Sequence, residues 1–508
     1  MATTTSASGR VSNPGPDALA RLAARAAEAA GSARGRGRPV VVSVVERLGA
    51  VDPLAIIAQV TGAGVGNGRT VLGEPDGMYW SRPSDRFAIA GIGAVATLTA
   101  RGADRFREID RAWMALTDGA LTDDAANLMG GAGPLLMGGF AFEPEGPRTA
   151  RWDGFPSARF NLPRFLVTEV GDSRWLTTTI IVGPDGTPDV TPATLAPIRE
   201  RIVRLPEDSG QASPAADDTA VRYTDLRAPV EWRAAVQRAV DAIRAAAFEK
   251  VVLARGVRAV GAAPFDITAV MRHLCAVHPE SLVFACWRGD RVFVGASPER
   301  LVRLDGRDVL ASSLAGSAGR GSGPEDDARL AAMLLASSKD ANEHAVVVRV
   351  LRESLSQLCD EVTAAATPSL LTLPHMHHLH TIVRARLRGG HSLLELVGHL
   401  HPTPAVGGTP RDTALAFMRA HERLDRGWYA SPIGWLQRDR GEFAVALRSA
   451  LIQGDEATLF AGCGVVRESD PDLEYAESIL KLRPMAAALA AAQRADVTIG
   501  ASVDDDPS

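Results

Sequence analysis

The sequence predicts an α+β fold in which antiparallel sheets pack in a central sandwich with helices on the outside. Short apolar runs such as residues 40–45 have the length and β-branched composition of strands. Gly289-Asp290 and Asp305-Gly306 stand between such runs and favour tight hairpins, which join antiparallel neighbours. Helical patterns at residues 230–246 and 267–277 stand on either side of a strand pattern at 250–260 and give way to these meandering strands. A final hairpin is expected between residues 443–452 and 458–463. Helices segregated to the outside of antiparallel strands are typical of the α+β class.

The chain divides into five predicted regions. Strands dominate up to about residue 203, with one helix expected over residues 103–116, and residues 206–219 have the Pro, Ser and Asp content of an exposed connection. The predicted regions are a disordered or partly helical tail (1–38), a strand-rich N-terminal part (39–205), a linker (206–224), a catalytic region (225–490) and a disordered C-terminal tail (491–508).

Composition narrows the class of protein. The chain has 508 residues, of which 46% are hydrophobic and 23% charged, as in ordinary globular proteins. A net charge of −5 without a long basic run argues against binding to nucleic acid or to an anionic membrane. Four scattered cysteines suit reduced thiols, and no apolar run is long enough to span a membrane or to serve as a signal core. These features predict a cytoplasmic protein.

A helix near the C-terminus carries the most informative pattern. Asp470 can cap it, and Pro471 fits its first turn. Glu474, Glu477 and Lys481 follow a three-then-four spacing and therefore share one face. The expected apolar stripe beside that face consists of Leu473, Ala476 and Leu480. Carboxylates on the border of a buried stripe need a partner, and Mg²⁺ is a natural one, although a solvated Glu/Lys face would show the same spacing.

A second glutamate on another predicted helix favours the metal interpretation. Residues 337–344 open a long helical pattern, and Glu343 lies one turn before Val347 on its apolar side. An acid at a position that faces the core is an informative exception. Two glutamate-bearing helices from distant parts of the chain could therefore share one metal ion.

Several separated motifs in the second half resemble those of the chorismate-utilising enzymes, and among them the isochorismate synthases. The motifs are Phe248-Glu-Lys-Val-Val-Leu-Ala-Arg, Val294-Gly-Ala-Ser-Pro-Glu-Arg-Leu, Leu314-Ala-Gly-Ser-Ala, Ser338-Lys-Asp-Ala-Asn-Glu-His, His378-Leu-His-Thr, His401-Pro-Thr-Pro-Ala-Val-Gly-Gly, Tyr429-Ala-Ser-Pro-Ile-Gly-Trp, Ala444-Val-Ala-Leu-Arg and the glutamate helix. The likeness covers roughly residues 225–490, and the first half is less similar. It implies the fold of that family and isomerisation of chorismate to isochorismate, in which water adds to one ring carbon while a hydroxyl group leaves another.

The resemblance implies two catalytic residues. Lys250 matches the lysine that activates water, and burial at the start of an apolar strand would favour its neutral amine. Glu299 matches the general acid of that family. A carboxyl group in a partly apolar pocket is kept protonated more easily, which is what donation to a leaving hydroxyl requires. Without the motifs, a strand-edge lysine and a surface acid paired with Arg300 would be reasonable interpretations.

The remaining implied residues bind metal and substrate. Glu343 and Glu477 correspond to ligands of Mg²⁺, and Glu474 lies near the same ion. The substrate is a dianion, and Arg448 is placed for a bidentate carboxylate contact. The other predicted substrate-binding residues are Gly316, Ser317, His378, Tyr429, Gly462, Gly464 and Lys481. For Tyr429 and His378, packing in the core is an alternative.

One position departs from the motifs of this family, and one run of residues suggests a different metal site. Relatives often carry arginine directly after the Gly-Ser or Gly-Thr pair, whereas this chain has Ala318, so Arg320 either supplies the basic contact or that contact is lost. The histidine run at residues 375–380 could suggest zinc, but neither Cys nor an acid accompanies it at ligand spacing.

Alternatives remain open within this family and outside it. Lysine at position 250 argues against anthranilate synthases, which typically have glutamine there, and neither a glutaminase subunit nor an oligomer is expected. Salicylate synthases, which go on to eliminate pyruvate, would use the same residues. A catalytically silent chorismate-binding protein is a further alternative, against which the intact lysine, acid and metal carboxylates argue. The motifs leave open whether the product serves menaquinone, siderophore or salicylate formation.

Overall fold

A computed structural model describes residues 17–61, 76–123, 130–204 and 221–493 of the chain. Its α-helices are α1 (Ala18–Arg36), α2 (Pro53–Thr61), α3 (Arg105–Thr117), α4 (Pro192–Arg204), α5 (Pro229–Arg244), α6 (Ile267–Val277), α7 (Pro324–Ala336), α8 (Ser338–Ser356), α9 (Leu393–Leu400), α10 (Arg411–His421) and α11 (Pro471–Gln493). Its strands are β1 (Val40–Leu48), β2 (Gly77–Arg82), β3 (Phe87–Ala100), β4 (Leu136–Phe140), β5 (Ala158–Val170), β6 (Ser173–Val182), β7 (Arg222–Asp225), β8 (Lys250–Val260), β9 (Leu282–Arg288), β10 (Arg291–Ser297), β11 (Arg300–Asp305), β12 (Asp308–Gly319), β13 (Cys359–Ala364), β14 (Ser369–Thr372), β15 (Met376–Leu387), β16 (Gly408–Thr409), β17 (Pro432–Leu436), β18 (Arg440–Val445), β19 (Ser449–Gln453) and β20 (Glu456–Val465).

All ladders between these strands are antiparallel, and they form two runs that diverge at β5. One run follows the order β1-β6-β5-β3-β2-β9-β10-β19-β20-β8 and ends with β7 and β16 on β8. The other follows the order β5-β4-β17-β18-β11-β12-β15 and ends with β13 and β14 on β15. One edge of β5 pairs with β3, while its other edge pairs first with β4 and then with β6. The predicted α+β fold is thereby confirmed.

The buried side chains form two main cores. Phe160 of β5, Phe293 of β10 and Phe443 of β18 bring both strand runs into one aromatic-rich core. A second core packs helices, for example through Leu22 of α1 and Leu489 of α11, onto the first run. No helix among the described residues is long and apolar enough to cross a membrane.

Local sequence patterns predicted the bounds of several helices and strands to within two residues. Strand β8 and helix α6 have the predicted bounds, and both predicted hairpins form, at Gly289-Asp290 and at Asp305-Gly306. The predicted final hairpin, residues 443–452 against 458–463, is wrong in its first arm. That arm breaks into β18, which pairs with β11 and β17, and β19, which pairs with β10 and β20. Arg448 lies at the break with a φ of 49°.

The structure also refines the predicted regions. Residues 18–36 are the helix α1, whose face Leu22, Ala26, Ala29 and Ala33 is buried, so this part of the predicted tail belongs to the fold; residues 1–16 lie outside the described part. The predicted linker, residues 206–224, ends too late, because strand β7 already pairs with β8 within it. Residues 206–220 of that linker are not among the described residues. Of the predicted C-terminal tail, residues 491–493 continue α11, and the remaining residues are not described.

Candidate active site

All thirteen residues that the sequence singled out line one cavity. Its walls come from β8, β12, β15, β20, α8 and α11, and from the loops that leave β10 and β18. The walls enclose about 870 Å³ of space that is partly open to solvent. The predicted residues around it are Lys250, Glu299, Gly316, Ser317, Glu343, His378, Tyr429, Arg448, Gly462, Gly464, Glu474, Glu477 and Lys481. Sequence motifs up to 231 residues apart, from Lys250 to Lys481, therefore meet at one place.

Lys250 is the first residue of β8 and is 2% exposed. Its Nζ atom donates to Oε1 of Glu343 at 2.7 Å. Glu343 lies in the second turn of α8, where the side chain of Ser337 caps the helix by accepting from the backbone of Asp340. Gly464 of β20 leaves room for this ion pair, because a Cβ atom there would lie 2.6 Å from Oε1 of Glu343 and 2.8 Å from Cε of Lys250.

Glu299 lies in the two-residue connection between β10 and β11 and is 3% exposed. Its backbone is held in place, because its N–H donates to Oγ of Ser297 and its carbonyl accepts from the N–H of Val445. Burial raises the pKa of the Glu299 carboxyl to about 8, although the positive charges of Lys250, Lys481 and Arg448 act to lower it. Glu299 is therefore mostly protonated at neutral pH and can donate a proton into the cavity.

The helix α11 presents its glutamates to the cavity, with Asp470 capping it as predicted. Glu474 is 3% exposed, whereas Leu473 is 68% exposed. The predicted apolar stripe beside the glutamates was therefore wrong, because the buried face of this helix begins with Glu474 itself. Burial and the charge of Glu477 raise the pKa of Glu474 to about 7, although Oγ of Ser469 donates to its carboxylate at 2.7 Å.

Glu477 is paired along its own helix with Lys481. The Nζ atom of Lys481 lies 2.6 Å from Oε1 of Glu477 and also donates to the carbonyl of Gly462 at 3.0 Å. Burial alone would raise the pKa of Glu477, but the charge and hydrogen bond of Lys481 lower it below its ordinary value. The two glutamates of α11 thus differ: Glu477 is a charged carboxylate, and Glu474 titrates near neutral pH.

The carboxylates of α11 suit a divalent cation. Ligand atoms of Glu474, Glu477 and Cys463 all lie within 4.8 Å of one another, the one such group of acid, histidine or cysteine side chains among the described residues. Burial keeps the pKa of the Cys463 thiol well above its ordinary value, and its Sγ donates to the carbonyl of Glu474, so the oxygen atoms are the available ligands. Oxygen ligands and clustered carboxylates fit Mg²⁺. Glu343 lines the same cavity but lies outside this tight group, since Lys250 holds its Oε1 atom.

Arg448, His378 and Ser317 form a hydrogen-bonded row. Nη2 of Arg448 lies 3.2 Å from Nε2 of His378, and Nδ1 of His378 lies 2.9 Å from Oγ of Ser317. A guanidinium group can only donate, so Nε2 of His378 accepts and its proton resides on Nδ1. Burial and the charge of Arg448 hold the pKa of His378 well below its ordinary value, consistent with this neutral ring. Ser317 then accepts from Nδ1–H, and its hydroxyl proton is free to donate into the cavity.

A β-bulge aligns this row. Between β12 and β15 the register shifts at Gly316, which has a φ of 76°, so that Ser317 stands opposite His378. A Cβ atom at Gly316 would also lie 3.0 Å from Cβ of Asp340. Glycine is thus required there by both its backbone angle and its close approach to α8.

Sequence reasoning missed two residues that line the cavity, Arg426 and Lys339. Arg426 is 4% exposed, and its Nε and Nη2 atoms bind the carboxylate of Glu422 at 2.7 and 2.6 Å. It also donates to the carbonyls of Val252 and Val406, which fixes β8 beyond Lys250. Lys339 was quoted only as part of a motif, yet its Nζ atom lies 3.5 Å from Oε1 of Glu474. Neither residue has a helical or strand periodicity that could have distinguished it.

The other sequence features have ordinary structural roles. His377 binds Asp327 and Thr372, whereas His378 faces the cavity on the opposite side of β15, so the histidine run does not converge on a metal ion. Arg320 binds Asp327 with two nitrogen atoms and the carbonyl of Leu373 with a third, and it does not line the cavity. Tyr429 both lines the cavity and packs, since its ring stacks on Phe460 at 5.2 Å.

Fold and cavity together define an α+β protein with a buried acid–base and anion-binding site. The chain belongs to the chorismate-binding enzyme family, whose sequence model matches residues 25–490. The resemblance seen in the motifs is thereby confirmed, and the match includes the N-terminal half.

Proteins named as isochorismate synthases are similar over nearly the whole chain. An isochorismate synthase of salicylate biosynthesis from Pseudomonas aeruginosa is 37% identical over 468 residues, which cover 91% of this chain and 93% of the relative. The isochorismate synthase MenF of Bacillus subtilis is 35% identical over 461 residues, 90% of this chain and 94% of the relative. The menaquinone-specific isochorismate synthase MenF of Escherichia coli shares the fold, with a TM-score of 0.70 and 24% identity over 93% of this chain and all of that structure.

Proposed function

We propose that the protein converts chorismate to isochorismate with the help of Mg²⁺. The observation that carries this proposal is that a buried lysine and a buried protonated carboxyl group, Lys250 and Glu299, line one cavity. The two relatives described above are named isochorismate synthases, which supports the same reaction.

The reaction needs a base and an acid at once. Water adds to one ring carbon, and a hydroxyl group leaves another with its electron pair, so one water molecule is consumed and one is released. Lys250, as the neutral amine, takes the proton from the attacking water, and Glu299 gives its proton to the departing hydroxyl. Since Glu299 has a pKa of about 8, it is mostly in the proton-donating form at neutral pH.

The substrate carries two carboxylates, and the cavity offers a separate site for each. Arg448 is half-buried, and none of the ion pairs among the described residues involves it, so its guanidinium group is available for one carboxylate. Ser317 supplies a hydroxyl donor on the same side. Glu343, Glu474 and Glu477 would hold Mg²⁺, which supplies positive charge to bind the other carboxylate.

Product analysis with purified protein, chorismate and Mg²⁺, with and without EDTA, tests this proposal. Isochorismate as the sole product, lost on chelation and restored by added Mg²⁺, is the expected result. Salicylate with pyruvate would identify the same residues as those of a salicylate synthase. Binding of chorismate by calorimetry without any product would instead indicate a silent binding protein and contradict the proposed activity.

A further inference from the structure

Lysine is very rare in this chain. Only three of its 55 basic residues are lysines, namely Lys250, Lys339 and Lys481, and all the others are arginines. Surface positions that accept either residue are thus occupied by arginine throughout. All three lysines line the candidate active site. Their positions therefore mark places where a compact ammonium group does something that a guanidinium group does not.

Each lysine contacts a different glutamate of the proposed metal site. Lys250 lies 2.7 Å from Glu343, and Lys481 lies 2.6 Å from Glu477. Lys339, at the start of α8, lies 3.5 Å from Glu474. Each carboxylate of the proposed metal site thus has one lysine nitrogen beside it.

Lys339 differs from the other two lysines in the solvent exposure of its side chain. The side chains of Lys250 and Lys481 are 3% and 14% exposed, whereas that of Lys339 is 37% exposed. Its contact with Glu474 is also the longest of the three. The ammonium group of Lys339 can therefore move into solvent without becoming a buried unpaired charge, provided that another cation takes its place beside the buried Glu474.

The chemistry of the two cations explains why lysine is present here. An arginine beside Glu474 could bind both carboxylate oxygens in a planar fork and compete strongly with a metal ion for them. An ammonium group on a flexible stem makes a single-point contact that exchanges readily. Without any cation, Glu474 and Glu477 would repel each other in a buried site.

We propose that Lys339 is an exchangeable counter-ion: its ammonium group neutralises Glu474 when no metal is bound and moves toward solvent when a divalent cation takes that carboxylate. This inference rests on the Mg²⁺ site of the proposed function. It assigns to Lys339 a part in metal exchange rather than in the chemical step.

The test is calorimetric titration of Mg²⁺, without substrate, into the wild type and the variants Lys339→Met and Lys339→Arg. Lys339→Met removes a competing cation, so we expect Mg²⁺ to bind roughly three- to tenfold more tightly. Lys339→Arg keeps the charge but can grip Glu474 at two points, so we expect weaker binding than in the wild type. Thermal unfolding of each metal-free protein shows whether the variants are folded.

Arg349→Met is the matched control. It removes one positive charge from the same helix at a side chain that is 49% exposed and pairs with Glu249 and Glu353, neither of which lines the cavity. Equal Mg²⁺ affinity in the wild type and both Lys339 variants, or weaker binding in Lys339→Met, would overturn the inference while leaving the metal site intact. If the wild type bound no Mg²⁺, the metal site of the proposed function would fall, and this inference with it.

Discussion

The Nζ atom of Lys250 lies 2.7 Å from Oε1 of Glu343, and this contact joins β8 to α8 across 93 residues of sequence. The lysine proposed as the base is therefore held by a glutamate proposed as a metal ligand. Base and metal site share a wall of the cavity, so a change in one is expected to affect the position of the other.

Replacing Lys250 by alanine should abolish turnover while chorismate still binds. The base acts mainly in the transition state, so we expect the rate to fall by about 10²- to 10⁴-fold. Isochorismate formation is followed by chromatography, and binding is followed by calorimetry. Near-wild-type turnover by this variant would remove Lys250 from the mechanism.

The rate should fall as pH rises above about 8. The pKa of Glu299 is raised to about 8 by burial, so the carboxyl group is protonated and able to donate below that pH and becomes a carboxylate above it. We expect kcat to decline by about tenfold per pH unit on that limb. Glu299→Gln, whose amide has no acidic proton, should be slower by about 10²-fold or more and should lack this limb. A rate that stays level well above pH 9 would argue against Glu299 as the acid.

The row Ser317–His378–Arg448 predicts that two amide replacements of His378 behave differently. Glutamine can place its carbonyl near the position of Nε2 and still accept from Arg448, whereas asparagine can reach only Ser317. We therefore expect His378→Asn to weaken chorismate binding by about ten- to hundredfold and His378→Gln to retain most of it. A ¹⁵N spectrum of the histidine ring provides a check that does not depend on activity, and a proton on Nε2 would contradict the deduced tautomer.

Gly464→Ala should impair catalysis without unfolding the protein. The added Cβ atom would lie 2.6 Å from Oε1 of Glu343 and 2.8 Å from Cε of Lys250, and both are side-chain atoms that can move aside. Displacement of the ion pair by about 1 Å is expected to cost about a hundredfold in rate. Gly389→Ala, where the new Cβ atom would have no neighbour within 4 Å, is the control and should match the wild type. Equal rates in the two variants would show that the geometry of this ion pair is not critical.

Among the ion pairs at the cavity, loss of the Glu422–Arg426 pair should lower the stability of the protein most. Both side chains are at most 5% exposed, and Arg426 has no second acid within ion-pair distance among the described residues. Glu422→Ala would leave a buried guanidinium group without its counter-charge. We expect this to lower the free energy of unfolding by about 3–5 kcal/mol. Urea denaturation measures this loss. Glu231→Ala breaks a pair with Arg227 in which the glutamate side chain is 52% exposed, and it should cost less than about 1 kcal/mol. Losses of similar size in both variants would contradict the prediction.

The sequence predicted those parts of the site that depend on local spacing. Glu474, Glu477 and Lys481 share a helix face because of the helical period, and that face does line the cavity. The same reasoning failed for Leu473, because which side of a helix is buried depends on what packs against it. Here the neighbours of α11 make a polar cavity, and the leucine rather than Glu474 faces solvent.

Contacts between distant segments could not be read from any pattern. The break at Arg448 follows from two strand pairings made on opposite sides of it, with β11 and β17 before the break and with β10 and β20 after it. The neutral state of His378 and the role of Lys339 likewise depend on partners 60 to 140 residues away in the sequence, Ser317 and Glu474. Only the rarity of lysine, visible in the sequence from the start, could have drawn attention to Lys339.

The pairing of β5 with β3, β4 and β6 has a consequence for how the chain can be divided. A polypeptide ending at Arg204 would carry β4 without its neighbour β17 and β2 without its neighbour β9, and one starting at Val221 would lack the complementary strands. Each piece would expose unpaired strand edges and would tend to aggregate when produced alone. Co-expressed, the two pieces offer each other the missing edges, so a chain severed between them is expected to reassemble as a non-covalent complex rather than to survive as two independent proteins.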